Sequence, residues 1–384
     1  MQQTNAQQGS TIFNEPTFIQ GNKIIIVNKS KILEVLLKLK GEKALSLLRN
    51  GVLYLKQQLT NTKSDKIGLL NIDSNGDTIK IAKEYLFNEI RQIAEAQTLE
   101  RAKYYVERFE KGITEIKTSK INDINLNQWK ECTDIYTDSL WICDKRDNSG
   151  VHTAGYWGNF IPQIPNQMIK RYTKKNDWVL DTFVGCGTTL IESQRLGRNG
   201  LGIELQESVA QKAQELVSSE PNKYEVISKV VTDDSSIVDY KSLLQKYGQE
   251  SVQFLIMHPP YFDIIKFSND PRDLSNASSV ESFLKMMNKI VDGASSVLDR
   301  GRYFVLVIGD KYSKGEWIPL GFLTMNEIMK RGFSLKSIIV KNFEETTGKR
   351  NQKELWRYRA LVGGFYIFKH EYIFRLFSKF SSKR

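Results

Sequence analysis

Trp178-Val-Leu-Asp181-Thr-Phe-Val-Gly185-Cys-Gly187-Thr188-Thr189 reads as a buried strand that ends in an acid and turns through two glycines into a helix. Without side chains at Gly185 and Gly187 the backbone can turn sharply and approach a ligand closely. Outward from this stretch, short apolar runs alternate with helical ones. Trp178–Leu180, Leu201–Ile203, Val226-Ile227 with Val230-Val231, Phe254–Ile256 and Tyr303–Ile308 read as buried strands, with helices at Thr188–Leu196 and Gln206–Ser218 between them. Such alternation predicts an α/β fold with a doubly wound, mostly parallel sheet. Strands near Ser337–Val340 and Phe365–Phe377 would close it with a final antiparallel hairpin. Ligands in such sheets bind beyond the carboxyl ends of the strands, where the glycine loop sits. A second acid, Glu204, ends the next strand 23 residues after Asp181, about where a carboxylate for ribose hydroxyls is expected. Either feature alone reads equally well as a tight turn or a helix cap; their pairing favours a nucleoside-bearing cofactor.

Towards the N-terminus the texture differs. Residues 1–20 carry a single charge, Glu15, and predict a flexible tail. Residues 21–125 predict a small all-helical domain, ahead of an α/β domain over 126–384. A helical stretch runs from Lys31 to Gln58 with a break at Gly41, and a polar stretch from Asn61 ends in a turn before Thr78. From Thr78 to Lys117 a long helix is predicted, with Leu86, Ile90, Ile93, Ala96, Leu99, Ala102, Val106, Phe109 and Ile113 on one stripe. That stripe could bury against another helix, the α/β domain or a second subunit. Interaction, recognition and dimerisation are all roles the helices could serve.

Composition narrows the class. The 384 residues are 40% hydrophobic with 25 Gly, 8 Pro and 3 Cys, which excludes collagen-like, low-complexity and disulfide-scaffold chains. No run of eighteen apolar residues suggests a membrane helix, and the polar Met1–Gln8 does not resemble a signal peptide. Scattered Cys132, Cys143 and Cys186 fit no disulfide framework or paired-cysteine metal site, so a reducing cytoplasm is expected. The net charge is +11, and Lys341–Arg384 holds 11 basic against 4 acidic residues. Basic and aromatic residues alternate there, as in Leu355-Trp356-Arg357-Tyr358-Arg359, a pattern suited to phosphates and bases together. A solvated face with snorkelling arginines explains that segment equally well.

The second motif is Phe254-Leu-Ile-Met-His258-Pro259-Pro260-Tyr261. Two consecutive prolines make a stiff ledge whose carbonyls are free to accept hydrogen bonds. The His258 ring and the Pro259 carbonyl can each accept from an exocyclic amine, and Tyr261 offers a flat face to a base. Taken alone, the same residues read as a strand terminator with an exposed tyrosine.

Together the two motifs resemble the S-adenosylmethionine-dependent DNA amino-methyltransferases, which modify adenine N6 or cytosine N4. Asp181–Thr189 matches their D-P-F-x-G-S-G-T-T loop with departures at Thr182 and Cys186, and Pro259-Pro260-Tyr261 matches their D/N/S-P-P-Y motif with a departure at His258. Phe160-Ile-Pro162-Gln-Ile-Pro165 resembles the family segment beside the cofactor, and Lys369–Phe374 resembles the family's last strand. The resemblance covers roughly 130–384, not the helical N-terminus.

What it implies is a Rossmann-like methyltransferase sheet, S-adenosylmethionine as cofactor, double-stranded DNA as partner, and no metal. His258, Pro259, Pro260 and Tyr261 would be catalytic, activating the amine of a flipped base, with His258 titrating near its reference value of about 6.5. Phe160, Pro162, Asp181, Phe183, Gly185, Gly187, Thr188, Glu204 and Asp234 would line the cofactor pocket, with Asp181 and the glycines at the methionine end, so that a side chain at Gly187 would stand in the cofactor's path. Asp233 is nearly as good a candidate as Asp234. Lys349, Arg350, Lys353 and Arg357 would meet DNA phosphates. Asp310 reads as a strand-end cap, and His370 and Glu371 as structural. A restriction–modification, phage or defence setting follows from the resemblance alone. An RNA methyltransferase with the same ledge, or a non-catalytic cofactor-binding subunit, remains open on these residues.

Overall fold

The computed structural model describes residues 24–60, 67–70, 77–143, 145–153, 155–156, 158–343 and 352–379. The predicted tail at 1–20, most of the polar stretch 61–77, Lys349 and Arg350 lie outside them. The chain divides into two units, Met1–Lys117 with Asn125–Cys132, and Thr118–Ile124 with Thr133–Arg384.

In the first unit, Ile24-Ile-Ile-Val-Asn28 forms β1, and the Asn28 side chain then accepts from the Lys31 N–H to cap α1 (Lys29–Gly41). After the break at Gly41 comes α2 (Leu45–Thr60). The single long helix expected from Thr78 is three elements: β2 (Thr78–Ala82), α3 (Lys83–Ala94) and α4 (Leu99–Thr114). Thr78-Ile-Lys-Ile alternates β-branched and polar residues, a strand pattern, and pairs antiparallel with β1, Ile79 against Val27 and Ile81 against Ile25. Thr98 ends the helical run because its side chain accepts from the Arg101 N–H as an N-cap. The unit is therefore not all-helical. The stripe is nonetheless real: Leu86, Ile90, Ile93, Val106 and Phe109 are buried in the unit's own core with Leu36, Leu48 and Leu55.

The second unit opens with β3 (Leu140–Trp141) and α5 (Gln163–Tyr172). It continues through β4 (Trp178–Asp181), α6 (Thr188–Arg195), β5 (Asn199–Glu204), α7 (Glu207–Ser219), β6 (Ser228–Thr232), α8 (Tyr240–Gln245) and β7 (Val252–Met257). Then follow α9 (Val280–Ser295), β8 (Leu298–Ile308), the short hairpin β9 (Lys311–Ser313) and β10 (Glu316–Ile318), α10 (Leu320–Lys330), β11 (Phe333–Asn342), α11 (Lys353–Gly363) and β12 (His370–Ser378). Eight of these strands form one sheet in the order β3-β11-β12-β8-β7-β4-β5-β6. The β6-β5-β4-β7-β8 stretch is parallel, and β12 runs antiparallel to both β8 and β11. This is the doubly wound sheet with a closing hairpin that the sequence predicts; Val226-Ile227 falls outside β6, and the predicted stretch 365–369 falls outside β12.

Side chains along the strands alternate between two buried faces. Leu255 and Met257 pack with Phe283, Met287 and Ile290 of α9 on one face. Phe254 and Ile256 pack with Ile164, Met168 and Ile169 of α5 on the other. Burial on both faces explains why these strands read as continuous apolar runs.

Candidate active site

β4 hydrogen-bonds to β5 on one side and to β7 on the other. The chain leaves β4 for β5, so the loops after β4 and β7 part and open a crevice at the sheet's topological switch point. Both motifs fall there. A cavity of about 990 Å³ is lined by Phe160, Phe183, Gly185, Thr188, Glu204, Asp234 and the whole of His258-Pro259-Pro260-Tyr261. These residues stand far apart in sequence and are brought together by strand order.

On the glycine-loop side, the Gly185 N–H donates to Glu204 Oε2 (3.1 Å) and the Gln206 N–H donates to Glu204 Oε1 (3.0 Å). Each carboxylate oxygen keeps further lone-pair capacity towards the cavity. Burial pushes this carboxyl up to about 7, although the two N–H donors favour its anion. Asp234 lines the cavity and accepts from the Ser236 N–H (2.8 Å), whereas Asp233 does not reach it. The Thr188 hydroxyl donates to Asn159 Oδ1 (2.8 Å), tying the start of α6 to the segment ahead of α5. Gly185 lies at φ +50°, and a Cβ there would stand 3.1 Å from the Tyr156 ring, in the cavity wall.

Three residues expected in the cofactor pocket do not line the cavity. A Cβ on Gly187 would point away from it, 3.0 Å from Val217 and 3.4 Å from the Ala213 carbonyl of α7. This glycine permits a close helix–loop contact at φ +86°; a side chain there would not stand in a ligand's path. Asp181 is buried behind the loop, where Oδ1 accepts from the Phe183 N–H (2.9 Å), and burial pushes its carboxyl up to about 6. It shapes the turn from beneath. Pro162 is buried at the N-cap of α5.

On the ledge side, His258 Nε2 lies 3.0 Å from the Tyr261 hydroxyl, which donates to Glu371 Oε2 at 2.7 Å. Lys341 Nζ donates to Glu371 Oε1 at 3.0 Å, and the two residues face each other in the β11–β12 register. The Phe160 ring lies 4.7 Å from the imidazole. His258 keeps some surface towards the cavity, but enclosure lowers its pKa to about 4, the Lys341 charge pushing the same way against Glu371. The expectation of titration near 6.5 is thereby corrected, and the ring is neutral across the physiological range.

Glu371 and Lys341 were not read as site residues from sequence. The signal is a charge within an apolar strand run, Ile338-Ile-Val-Lys341 and Glu371-Tyr-Ile-Phe374; only the pairing shows that the two charges meet. Arg146, also overlooked, lines the cavity and donates to the Phe160 carbonyl (2.8 Å) and the Thr153 carbonyl (3.0 Å). Asp310 accepts from the Gly321 N–H and Trp317 Nε1, both at 2.9 Å, so it is a cap that also borders the cavity. Lys353 and Arg357 lie on α11, a helix with no buried residue, while its Trp356 lines the cavity.

A family model described as DNA methylase matches residues 26–215. Over these residues the chain is similar to the N6/N4 DNA methylase family. The match takes in the helical unit, which the motif resemblance alone had left out, and stops short of His258. Among curated proteins, a type II methyltransferase, M.MjaII of Methanocaldococcus jannaschii, is 31% identical over 26% of this chain and 21% of its own length. M.MthZI of Methanothermobacter thermautotrophicus, also a type II methyltransferase, is 27% identical over 34% of this chain and 35% of its own. The chain thus spans about a fifth to a third of these relatives. Among solved structures, TrmN from Thermus thermophilus aligns with a TM-score of 0.36 and 16% identity over 57% of this chain and 49% of that one.

Proposed function

We propose that this protein is a DNA methylase that transfers the methyl group of S-adenosylmethionine to the exocyclic amine of adenine (N6) or cytosine (N4) in double-stranded DNA. The observation that carries the reading is the opening of the glycine loop and the His258-Pro-Pro-Tyr261 ledge into one cavity at the switch point. The residues present fit the cofactor: a buried carboxylate for vicinal hydroxyls in Glu204, an acceptor for an amine in Asp234, and an apolar wall in Phe160 and Phe183. When bound, the cofactor supplies an electrophilic methyl on a sulfonium.

The chain's own residues then do the rest. The amine's lone pair is delocalised into the base, so acceptors at His258 and the Pro259 carbonyl, which draw on its two hydrogens, favour a tetrahedral nitrogen and hold it in line. The amine lies inside the duplex, so the base must be turned out, with the Tyr261 face receiving it. Lys349, Arg350, Lys353 and Arg357 contact DNA phosphates. The helical unit serves assembly or site recognition, a role supported by the exposed Leu37, Leu47, Leu53 and Tyr54 on α1 and α2. We place the protein in the cytoplasm within a restriction–modification setting, as the type II relatives suggest; no helix among the described residues is long and apolar enough to cross a membrane.

The test supplies methyl-labelled S-adenosylmethionine with duplex DNA, RNA and protein as separate acceptors. Label in DNA alone is expected. Label in RNA alone, or in none while the cofactor binds, would replace this reading with an RNA enzyme or a non-catalytic subunit.

A further inference from the structure

The hydrogen-bond chain behind His258 has a polarity that a neutral imidazole must obey. At its far end Lys341 Nζ donates to Glu371 Oε1 (3.0 Å), and this buried cation beside the carboxylate favours its ionised form. An ionised carboxylate only accepts, and it draws the strongest bonds from neighbouring donors. Tyr261 has a single hydroxyl hydrogen, and the 2.7 Å bond to Glu371 Oε2 uses it. Towards His258, 3.0 Å away, the Tyr261 oxygen can therefore only accept. Nε2 must carry the hydrogen, because otherwise two lone pairs would face each other. A neutral imidazole has one N–H, so Nδ1 is left with its lone pair. Among the described residues nothing bonds to Nδ1, it is not sealed from solvent, and His258 lines the cavity. The charges acting on the ring are Glu371 from β12 and Lys341 from β11; Phe160, ahead of α5, closes it with no charge.

We infer that Glu371 and Lys341, acting through Tyr261, are positioning residues that lock His258 in its Nε2-protonated tautomer and so present Nδ1 as the acceptor for the target amine. The inference rests on the amine-methylation reading for its last clause only; the tautomer itself is a property of the protein without substrate. It gives a charged cross-strand pair at the end of the sheet a role in the chemistry.

The test is two-bond proton–nitrogen correlation spectroscopy of the full chain labelled at histidine, at neutral pH, alongside single-turnover methylation. Wild type is expected to show His258 protonated at Nε2. Glu371→Gln should reverse the chain: Lys341 donates to the new carbonyl, the new amide donates to Tyr261, Tyr261 donates to Nε2, and the proton moves to Nδ1. Single-turnover methylation should then fall by roughly a hundredfold, with cofactor affinity unchanged. A wild-type His258 protonated at Nδ1, or the same tautomer in both proteins, would overturn the inference. Should Glu371→Gln fail to fold, Tyr261→Phe keeps the Lys341–Glu371 pair and removes the link; His258 should then populate both tautomers, and retention of the pure Nε2-protonated form would overturn the inference equally. A switched tautomer with methylation at some other atom would leave the lock standing and reject only the amine reading.

Discussion

At the residue scale, two groups that line the cavity are displaced from their ordinary titration in opposite senses. Enclosure lowers His258 to about 4, so it stays a neutral acceptor, and the single-turnover rate should show no limb from this residue between pH 6 and 8. The fall should come only towards pH 4. His258→Ala should lose most of the rate at every pH, and His258→Asn, which keeps an acceptor oxygen, should retain part of it. Wild-type rate in His258→Ala would make the ring a bystander. Glu204 is pushed up to about 7, so the folded chain retains a proton that the unfolded chain has released above about 4.5. Its contribution to stability is fully present below that ordinary value and is lost as pH rises through about 7. The melting temperature of the ligand-free protein should therefore drop more between pH 5 and 8 in wild type than in Glu204→Gln. Parallel pH profiles would remove Glu204 from the set of dehydrated carboxyls.

At the scale of elements, the two glycines of the loop after β4 separate by function. Gly187→Ala adds a Cβ at φ +86° against Val217 and Ala213, so it should destabilise the fold by roughly 1–3 kcal/mol. Cofactor affinity measured well below the midpoint should change little; a large affinity loss at unchanged stability would put Gly187 back in the pocket. For α11 and the segment before it, replacing Lys349, Lys353 and Arg357 with Ala should weaken binding to all DNA sequences alike. The slope of log affinity against log salt should flatten by about one unit for each phosphate that is no longer neutralised. An unchanged slope returns the segment to a solvated face. The loop's composition was legible in sequence because Asp181, Gly185, Gly187 and Thr188 are local to one turn. Where each Cβ points depends on distant partners, Tyr156 for Gly185 and α7 for Gly187, and that was not legible. Thr78–Ala82 was misread for a similar reason: its partner strand lies some fifty residues upstream, beyond the reach of any local periodicity.

At the scale of the molecule, strand order does what neither motif does alone. The β5-β4-β7 arrangement sets the end of β4 beside the end of β7, so a glycine loop and a proline ledge separated by some seventy residues of sequence share one cavity. The alternation of buried runs predicted such a sheet, since strands covered on both faces leave their mark in composition. The Lys341–Glu371 pair left only two isolated charges in apolar runs, because the antiparallel register that joins them is a long-range fact. This geometry is proposed to direct a methyl group to an exocyclic amine of a base. Enzymatic digestion of duplex DNA after reaction, with mass analysis of the nucleosides, tests it most directly. N6-methyladenine or N4-methylcytosine is the predicted product, and methyl found on a base carbon or ring nitrogen would contradict the account.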